Sequence, residues 1–186
     1  MRVVFIGAPG SGKGTQAKLL QERLGLTYIG TGDILREAAR NGTPLGQLVA
    51  PILAAGQLVP DELVNEVVAE RLRRPDRPKH FVMDGYPRTA AQAAAFDKLL
   101  KEAGLDLQAV INFEIDEEMV VRRLVGRTGR GREDDCEETV RRRIKVFRDT
   151  SKELIRYYKR RGLLRDVPAA DTIENLYQRI VKILQP

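Results

Sequence analysis

The sequence predicts an α/β fold in which helices cover both faces of a parallel sheet, giving three layers. Short apolar runs rich in β-branched residues recur along the chain, and longer segments with helical periodicity separate them. A glycine-rich loop and a helix follow the first of these runs. Strands that alternate with helices of such lengths are typical of βαβ units. Since ligands of these sheets bind beyond the carboxyl ends of the strands, we expect the functional site there.

Five apolar runs predict the strands, which span residues 2–6, 26–30, 80–84, 109–115 and 163–167. Six periodic segments predict helices over residues 13–24, 61–73, 90–103, 117–125, 137–161 and 172–184. Two regions do not fit a simple alternation. Residues 31–79 are too many for one crossover and predict an inserted helical subdomain. Residues 126–135, rich in glycine and arginine, predict a short mobile flap.

Length and composition restrict the class of protein. At 186 residues the chain is long enough for one domain with a sizeable core and too short for two. It has no apolar run of membrane-spanning length and no secretory signal, so we expect a cytoplasmic protein without a membrane partner. The single cysteine, Cys136, excludes an intrachain disulfide and a multi-cysteine zinc site. A net charge of +6 favours anionic partners, which could be nucleotides, nucleic acid or an acidic surface.

The segment "GAPGSGKGT" (residues 7–15) begins with the phosphate-binding pattern G-x-x-x-x-G-K, between a predicted strand and a predicted helix. Backbone N–H groups of such a loop converge on phosphate oxygens at the positive end of a helix dipole, and Lys13 adds a point charge. A glycine-rich structural turn is the alternative interpretation. Position 14 is glycine where the general motif has serine or threonine, and Thr15 follows one place later. The predicted nucleotide contacts are Gly10, Ser11, Gly12, Lys13, Gly14 and Thr15.

Four motifs, "GAPGSGKGT", "GTGDILR", "DGYPR" and "GREDD", occur in the order seen in adenylate kinases. The resemblance covers essentially the whole chain and is to the short-lid form of that family. It implies reversible phosphoryl transfer from magnesium-bound ATP to AMP, giving two ADP and serving adenine nucleotide homeostasis. It also implies a P-loop NTPase-type fold in one domain, with a core (1–29, 60–125 and 137–186), an AMP-binding insertion (30–59) and a lid (126–136). We expect a monomer, because the sequence has no obvious apolar stripe.

Arginines are the next group of candidates, because donor and acceptor are both polyanions. Two like charges about 5 Å apart at an effective dielectric of 20 repel by roughly 3 kcal/mol, and cations must offset this. The resemblance assigns Arg36 and Arg88 to the AMP phosphate, Arg123 and Arg127 to the ATP phosphates, and Arg132 and Arg143 to the transferring group. Any of these arginines could instead be a solvated surface charge. That is the interpretation we prefer for Arg130, Arg141, Arg142, Arg160 and Arg161.

Asp84 ends a predicted strand and precedes Gly85, a placement that suits an acid organising magnesium through its waters. A turn-capping role is the alternative for this side chain. No general base is required, because the second pKa of a phosphate monoester is about 6 and the acceptor oxygen is already an anion at neutral pH. We therefore interpret the only histidine, His80, as structural, at the start of an interior strand.

The remaining AMP contacts follow from the resemblance, and they are Thr31, Gln57, Leu58, Val59, Gly85, Tyr86, Pro87 and Gln92. Without it, Thr31 would be a helix N-cap and Gln92 an ordinary exposed helix residue. A glutamine amide presents a donor and an acceptor together to the edge of a base, so Thr31 and Gln92 favour AMP over UMP, CMP or GMP. The resemblance also assigns Asp171 to the adenine side of ATP, where the family's contacts near Pro168 to Asp171 are made by the backbone.

Asp134 and Asp135 leave two interpretations open. The resemblance makes them lid residues that pair with arginines or with donor groups, whereas an N-cap and a first-turn acid of the following helix explain them equally well. Longer lids of this family often carry four zinc ligands, and Cys136 alone near the flap predicts a lid without zinc.

Two other functional classes are disfavoured. A nucleotide-hydrolysing switch of the GTPase type would carry an N-K-x-D guanine motif, which the sequence lacks. A nucleic-acid-binding protein would show a recognisable module and aromatic residues for stacking, and only 5% of this chain is aromatic.

Overall fold

A computed structural model describes residues 1–125 and 137–185, and a sheet of five parallel strands forms its centre. The strands are β1 (Arg2–Gly7), β2 (Thr27–Gly30), β3 (Phe81–Asp84), β4 (Ala109–Glu114) and β5 (Leu164–Pro168). Their order across the sheet is β2-β3-β1-β4-β5, so β1 lies in the middle. The predicted α/β fold is confirmed, and each strand end lies within one residue of its predicted position.

The same ranges of the chain contain eight helices. They are α1 (Lys13–Leu24), α2 (Thr31–Arg40), α3 (Pro44–Ala54), α4 (Asp61–Arg73), α5 (Ala90–Glu102), α6 (Glu117–Val125), α7 (Glu137–Arg160) and α8 (Ile173–Leu184). The helices α2 and α3 occupy the region predicted to be a helical insertion. The other six match the predicted helices to within one residue at each end.

Threonine side chains begin three of these helices. The hydroxyl oxygens of Thr43, Thr89 and Thr172 accept hydrogen bonds from backbone N–H groups three residues later, at 3.0, 3.1 and 3.2 Å. Each cap satisfies one of the N–H groups that a helix start leaves without an intrahelical partner. The starts of α3, α5 and α8 are therefore set by local chemistry.

Helices bury the sheet on both faces, and β1 shows how the two layers are divided. Its side chains alternate, so Val3 and Phe5 face one layer while Val4 and Ile6 face the other, and none is more than 3% exposed. The first layer comes from α1 and α8, including Ala17, Leu20, Leu176, Tyr177 and Ile180. The second comes from α4, α5 and α7, including Val68, Leu72, Phe96, Leu154 and Tyr158.

The insertion is a closely packed pair of helices. Gly46 in α3 lies against the backbone of α2, where an added Cβ would be 1.9 Å from the carbonyl oxygen of Ala38. Only glycine permits that approach. The segment after α3 then leads directly into α4, so the helix pair is fixed to the core at both of its ends.

His80 differs from its predicted environment. It precedes β3 rather than beginning it, its side chain is exposed, and its Nδ1 contacts the N-terminal ammonium of Met1. The strand itself is interior, as predicted, but its burial begins at Phe81, one residue after His80. None of the helices in the described ranges combines the length and apolarity that crossing a membrane would need.

Candidate nucleotide-binding site

The glycine-rich loop joins the carboxyl end of β1 to the start of α1. Gly12 is the N-cap of α1, with φ of +104°, and no side chain in the described part of the chain caps this helix. The first N–H groups of α1 thus carry the positive end of the helix dipole without a capping oxygen. Ser11 is fully buried, and its N–H donates to the carbonyl of Ala8 at 3.1 Å, which closes the loop. Such a concave run of N–H groups binds anions.

Two glycines of this loop are required by close contacts. Gly10 has φ of +80°, and a Cβ there would lie 2.7 Å from Cγ of Leu124 in α6. At Gly7 a Cβ would lie 2.8 Å from Oγ of Ser11 and 2.9 Å from Cβ of Phe113 in β4. Side chains are therefore excluded because neighbouring elements press against the loop backbone.

Lys13 directs its ammonium group back into the loop. Its Nζ donates to the carbonyl oxygens of Gly7 at 2.7 Å and Ala8 at 2.9 Å, and it lies 3.4 Å from Oγ of Ser11. The positive charge consequently lies at the carboxyl end of the central strand, beside the N-terminus of α1.

Asp84 lies at the carboxyl end of β3, which pairs with β1. One carboxylate oxygen is 4.0 Å from the position that a Cβ would take at Gly14, so the carboxylate faces the first turn of α1. Within residues 1–125 and 137–185, no three acidic, histidine or cysteine side chains are grouped as a protein-held metal would require. A single carboxylate beside a phosphate loop fits magnesium, which retains waters and takes substrate phosphates as ligands. Thr15 is exposed on the same turn.

A second polar cluster lies at the carboxyl ends of β2 and β3. A Cβ at Gly85 would be 3.0 Å from Oγ1 of Thr31 and 3.3 Å from Nη2 of Arg88, so the hydroxyl and the guanidinium meet above this glycine. Arg88 also donates from Nε to the carbonyl of Gly85 at 2.8 Å. Thr31 is 1% exposed and is the first residue of α2, whose N-cap is Gly30. The alternative interpretation of Thr31 as an N-cap is wrong.

Arg36 belongs to the same end of the sheet. Its Nη2 pairs with Oδ1 of Asp33 one turn earlier, at 2.5 Å. A Cβ added at Gly32 would lie 3.1 Å from Nη1 of Arg36. A Cβ added at Gly85 would in turn lie 3.7 Å from the backbone nitrogen of Gly32. Arg36 and Arg88 therefore approach one small region from α2 and from the loop after β3.

Gln92 is 2% exposed, so the alternative of an ordinary exposed helix residue is wrong. Its Nε2 donates to Oδ1 of Asp61 at 2.7 Å, and its Oε1 accepts from the backbone N–H of Arg88 at 2.7 Å. Oδ2 of Asp61 accepts from the hydroxyl of Thr89, also at 2.7 Å. The amide is held from both ends beside the Arg88 backbone.

The other predicted acceptor contacts lie in two short segments. Gln57, Leu58 and Val59 connect α3 to α4, and their side chains pass from exposed through half-buried to buried. Tyr86 and Pro87 follow β3, are joined by a cis peptide bond, and are both buried. Burial, together with the charges of Asp61 and Asp97, raises the pKa of the Tyr86 phenol.

The helices on either side of the predicted lid supply two further arginines. Arg123 on α6 is half-buried, and both terminal nitrogens lie 3.4 Å from the carbonyl oxygen of Ala169, just after β5. Arg143 on α7 packs its Cγ 3.3 Å from the position of a Cβ at Gly56, where the insertion turns into α4. The other predicted lid residues, Arg127, Arg132, Asp134, Asp135 and Cys136, lie outside the described residues, as does Arg130.

Comparison with known proteins identifies the family. The family model for adenylate kinase matches residues 5–163, most of the chain. The chain belongs to the adenylate kinase family. It is 47% identical to an adenylate kinase of Thermus thermophilus over 179 residues, covering 96% of this chain and 94% of that protein. It is 42% identical to an adenylate kinase of Archaeoglobus fulgidus (100% and 98% covered) and 44% to one of Rhizobium meliloti (99% and 100%).

Asp171 has a local structural role in this member of the adenylate kinase family. Its carboxylate accepts from the N–H of Thr172 at 2.7 Å and from Nδ2 of Asn175 at 2.9 Å, and it pairs with Arg179 at 2.6 Å. The hydrogen bond from Asn175, with that from the Thr172 backbone, lowers the pKa of Asp171. These contacts order the start of α8, so the carboxylate of Asp171 serves the helix terminus.

Two residues that contact the predicted acceptor segments carry no local signal in the sequence. Asp61 has the pattern of an ordinary first-turn acid, and nothing local signals its bonds to Gln92 and Thr89. Arg142 is exposed, as expected of a surface charge, and pairs with Glu138, and it also donates to the carbonyl of Ala55 in the insertion at 3.1 Å. The other preferred surface arginines include Arg141, which pairs with Glu137, and Arg161, which pairs with Asp97.

Proposed function

We propose that this protein transfers the γ-phosphoryl group of magnesium-bound ATP to AMP, giving two ADP, at the carboxyl edge of its sheet. The observation that supports this is the adjacency of two cationic sites: the loop with Lys13 follows β1, and the cluster of Thr31, Arg36 and Arg88 follows β2 and β3. The sheet order β2-β3-β1 makes these strands neighbours. A hydrolase needs one such site, whereas transfer between two nucleotides needs both.

On the donor side, the loop would hold the ATP phosphates by its N–H groups and the Lys13 ammonium. The N–H donors would be those of Gly10, Ser11, Gly12, Lys13, Gly14 and Thr15. Arg123 and Arg127 would add charge at the same phosphates, and the Asp171 region would lie on the adenine side. These groups are aimed before the reaction at the place where negative charge is concentrated, which is how such sites lower the barrier.

On the acceptor side, Arg36 and Arg88 would bind the AMP phosphate, with Thr31 and Gly85 beside it. Gln57, Leu58, Val59, Tyr86, Pro87 and Gln92 would surround the nucleoside. The bond from the γ-phosphorus to the bridging oxygen of ADP breaks as the bond to an AMP phosphate oxygen forms. Arg132 and Arg143 would neutralise the group in transit.

The acceptor oxygen needs no base, because it is an anion at neutral pH. The position of His80 supports this, because His80 precedes the amino end of β3 whereas Asp84 lies at its carboxyl end. When bound, magnesium would offset the charge of the nucleotide phosphates, with Asp84 as the carboxylate beside it. Asp84 would orient its waters from the end of β3. We propose a lid without zinc, since Cys136 is the only cysteine.

The proposed division of the chain follows the same roles. Residues 1–29, 60–125 and 137–186 would form the core, 30–59 the AMP-binding insertion and 126–136 the lid. We also propose a cytoplasmic monomer without nucleic-acid partners. In support, the large apolar side chains exposed in the described ranges, Leu48, Val125 and Ile173, lie on different helices.

A product assay tests this function and its alternatives together. The protein is mixed with magnesium, ATP and one of AMP, GMP, CMP or UMP, and diphosphate and free phosphate are quantified. We expect ADP from AMP well above the other acceptors and no excess of free phosphate. Preferred conversion of another monophosphate would indicate a kinase of that nucleotide, and free phosphate without diphosphate would indicate an ATPase.

A further inference from the structure

Asp61 connects α4 to the start of α5 beside the proposed acceptor site. It is the first residue of α4, two positions after Val59, and its side chain is half-buried. Oδ1 accepts from Nε2 of Gln92 on α5, and Oδ2 accepts from the hydroxyl of Thr89, each at 2.7 Å. One carboxylate oxygen therefore binds the Gln92 amide directly, and the other binds Thr89, the N-cap of the same helix.

The partners of Gln92 permit only one orientation of its amide. The backbone N–H of Arg88 can only donate, so it requires Oε1, which it meets at 2.7 Å. An ionised Asp61 carboxylate can only accept, so it requires Nε2. Rotating the amide by half a turn would oppose N–H to N–H on one side and oxygen to carboxylate on the other. The orientation follows from these partners, independently of how the two amide atoms are assigned.

An amide fixed in this way reads a base edge with a defined polarity. Its Nε2 retains a second N–H, and its Oε1 retains a second lone pair. Adenine complements them, because N1 accepts and the 6-amino group donates. Guanine presents the reverse, an N1–H donor and an O6 acceptor, which would match the rotated amide. A site that leaves such buried groups unpaired rejects the wrong ligand strongly.

We infer that Asp61 is a positioning residue that fixes the Gln92 amide in the orientation that accepts adenine and rejects guanine in the acceptor nucleotide. The inference rests on the proposed function, because it requires AMP to bind beside Gln92. A purely structural role, joining α4 to α5, would affect all acceptors alike. The ratio between AMP and GMP therefore separates the two roles.

The test compares Asp61→Asn with Glu62→Gln, a control at the exposed neighbouring position. Asparagine keeps the size of the side chain but offers one oxygen and one NH₂, so it no longer selects one orientation of the Gln92 amide and leaves only the backbone N–H of Arg88 to do so. Initial rates with ATP and either AMP or GMP give kcat/KM for each acceptor, and far-UV circular dichroism reports folding. We expect Asp61→Asn to raise the GMP-to-AMP ratio of kcat/KM by about tenfold or more, with an unchanged KM for ATP. Glu62→Gln should match the wild type.

A fall of kcat/KM by the same factor for AMP and GMP, or no change for either, would overturn the inference. If the wild type itself makes no ADP from AMP, the proposed function fails instead, so the two failures are distinguishable. Should Asp61→Asn not fold, hydrogen exchange of the side-chain amide in the wild type decides. By NMR, the Gln92 amide should exchange much more slowly than that of the exposed Gln21. Equal exchange would show that Asp61 does not hold the amide.

Discussion

The guanidinium of Arg142 donates to the carbonyl oxygen of Ala55 at 3.1 Å, and so connects α7 to the end of the insertion. Beside this bond, Gly56 has φ of +67°, and a Cβ there would lie 3.1 Å from Cγ2 of Thr139 and 3.3 Å from Cγ of Arg143. The segment that leads into Gln57–Val59 therefore packs against the helix that carries Arg143. Loss of the Arg142 hydrogen bond should therefore weaken the binding of AMP at the proposed acceptor site.

Arg142→Ala is expected to raise the KM for AMP about fivefold, because one partly exposed hydrogen bond contributes about 1 kcal/mol. The KM for ATP should change little. Arg141→Ala is the matched control, since Arg141 is the preceding residue of the same helix and pairs with Glu137 and Glu118. Steady-state kinetics with each substrate varied in turn measure both constants. Equal KM values for AMP in the two variants would show that the contact does not support the acceptor site.

Gly10→Ala should destabilise the fold and weaken ATP binding more than Gly42→Ala does. Both glycines have positive φ, +80° and +63°, so both substitutions strain the backbone. Only at Gly10 would the new Cβ also collide, 2.7 Å from Cγ of Leu124, whereas no atom lies within 4 Å of one at Gly42. We expect an additional loss of about 1–3 kcal/mol in the free energy of unfolding for Gly10→Ala.

Urea denaturation of the two glycine variants measures that difference, and titration with an ATP analogue that cannot be cleaved measures binding. Similar unfolding free energies would mean that the loop moves away from α6 without cost. Both variants carry the backbone strain of a positive φ, so the difference between them measures the collision of the new Cβ with Leu124.

Alkaline pH should reveal three tyrosines that folding buries wholly (Tyr86 and Tyr158) or partly (Tyr28). Burial raises the pKa of Tyr28, Tyr86 and Tyr158, and nearby carboxylates add to this in each case. A phenol whose pKa is raised by folding stabilises the native state below the unfolded value of about 10, and that contribution is lost as pH rises above it. We expect these three phenols to ionise only as the protein unfolds, and stability to fall above about pH 10.

Tyrosinate absorbance and circular dichroism, recorded together during an alkaline titration, test this expectation. Tyr86→Phe should reduce the absorbance change that accompanies unfolding. Ionisation of all five tyrosines near pH 10 in a protein with unchanged circular dichroism would contradict the burial of these rings.

Local features of this fold are predictable from sequence, and long-range polar contacts are not. The sequence signals for the loop and for β1 each lie within a few residues: the glycines at positions 7, 10 and 12, and the apolar run before them. The loop and the sheet therefore lie close to their predicted positions. The bond between Asp61 and Gln92 spans 31 residues, and that between Arg142 and Ala55 spans 87. Both depend on how α4, α5 and α7 pack, which periodicity does not specify. The boundary of β3 is a further example of what periodicity does not specify. His80 is exposed just before the strand, whereas Phe81, the next residue, is fully buried.

We propose that a cationic loop at the end of β1 holds a phosphoryl donor while a second site holds AMP. Lys13→Met tests it most directly, with Lys18→Met, an exposed lysine of the same helix, as the control. ADP formation from ATP, magnesium and AMP is the measurement. We expect Lys13→Met to lower kcat about 100-fold or more, as for removal of one preorganised donor, and Lys18→Met to retain wild-type activity. Full ADP production by folded Lys13→Met would contradict the account.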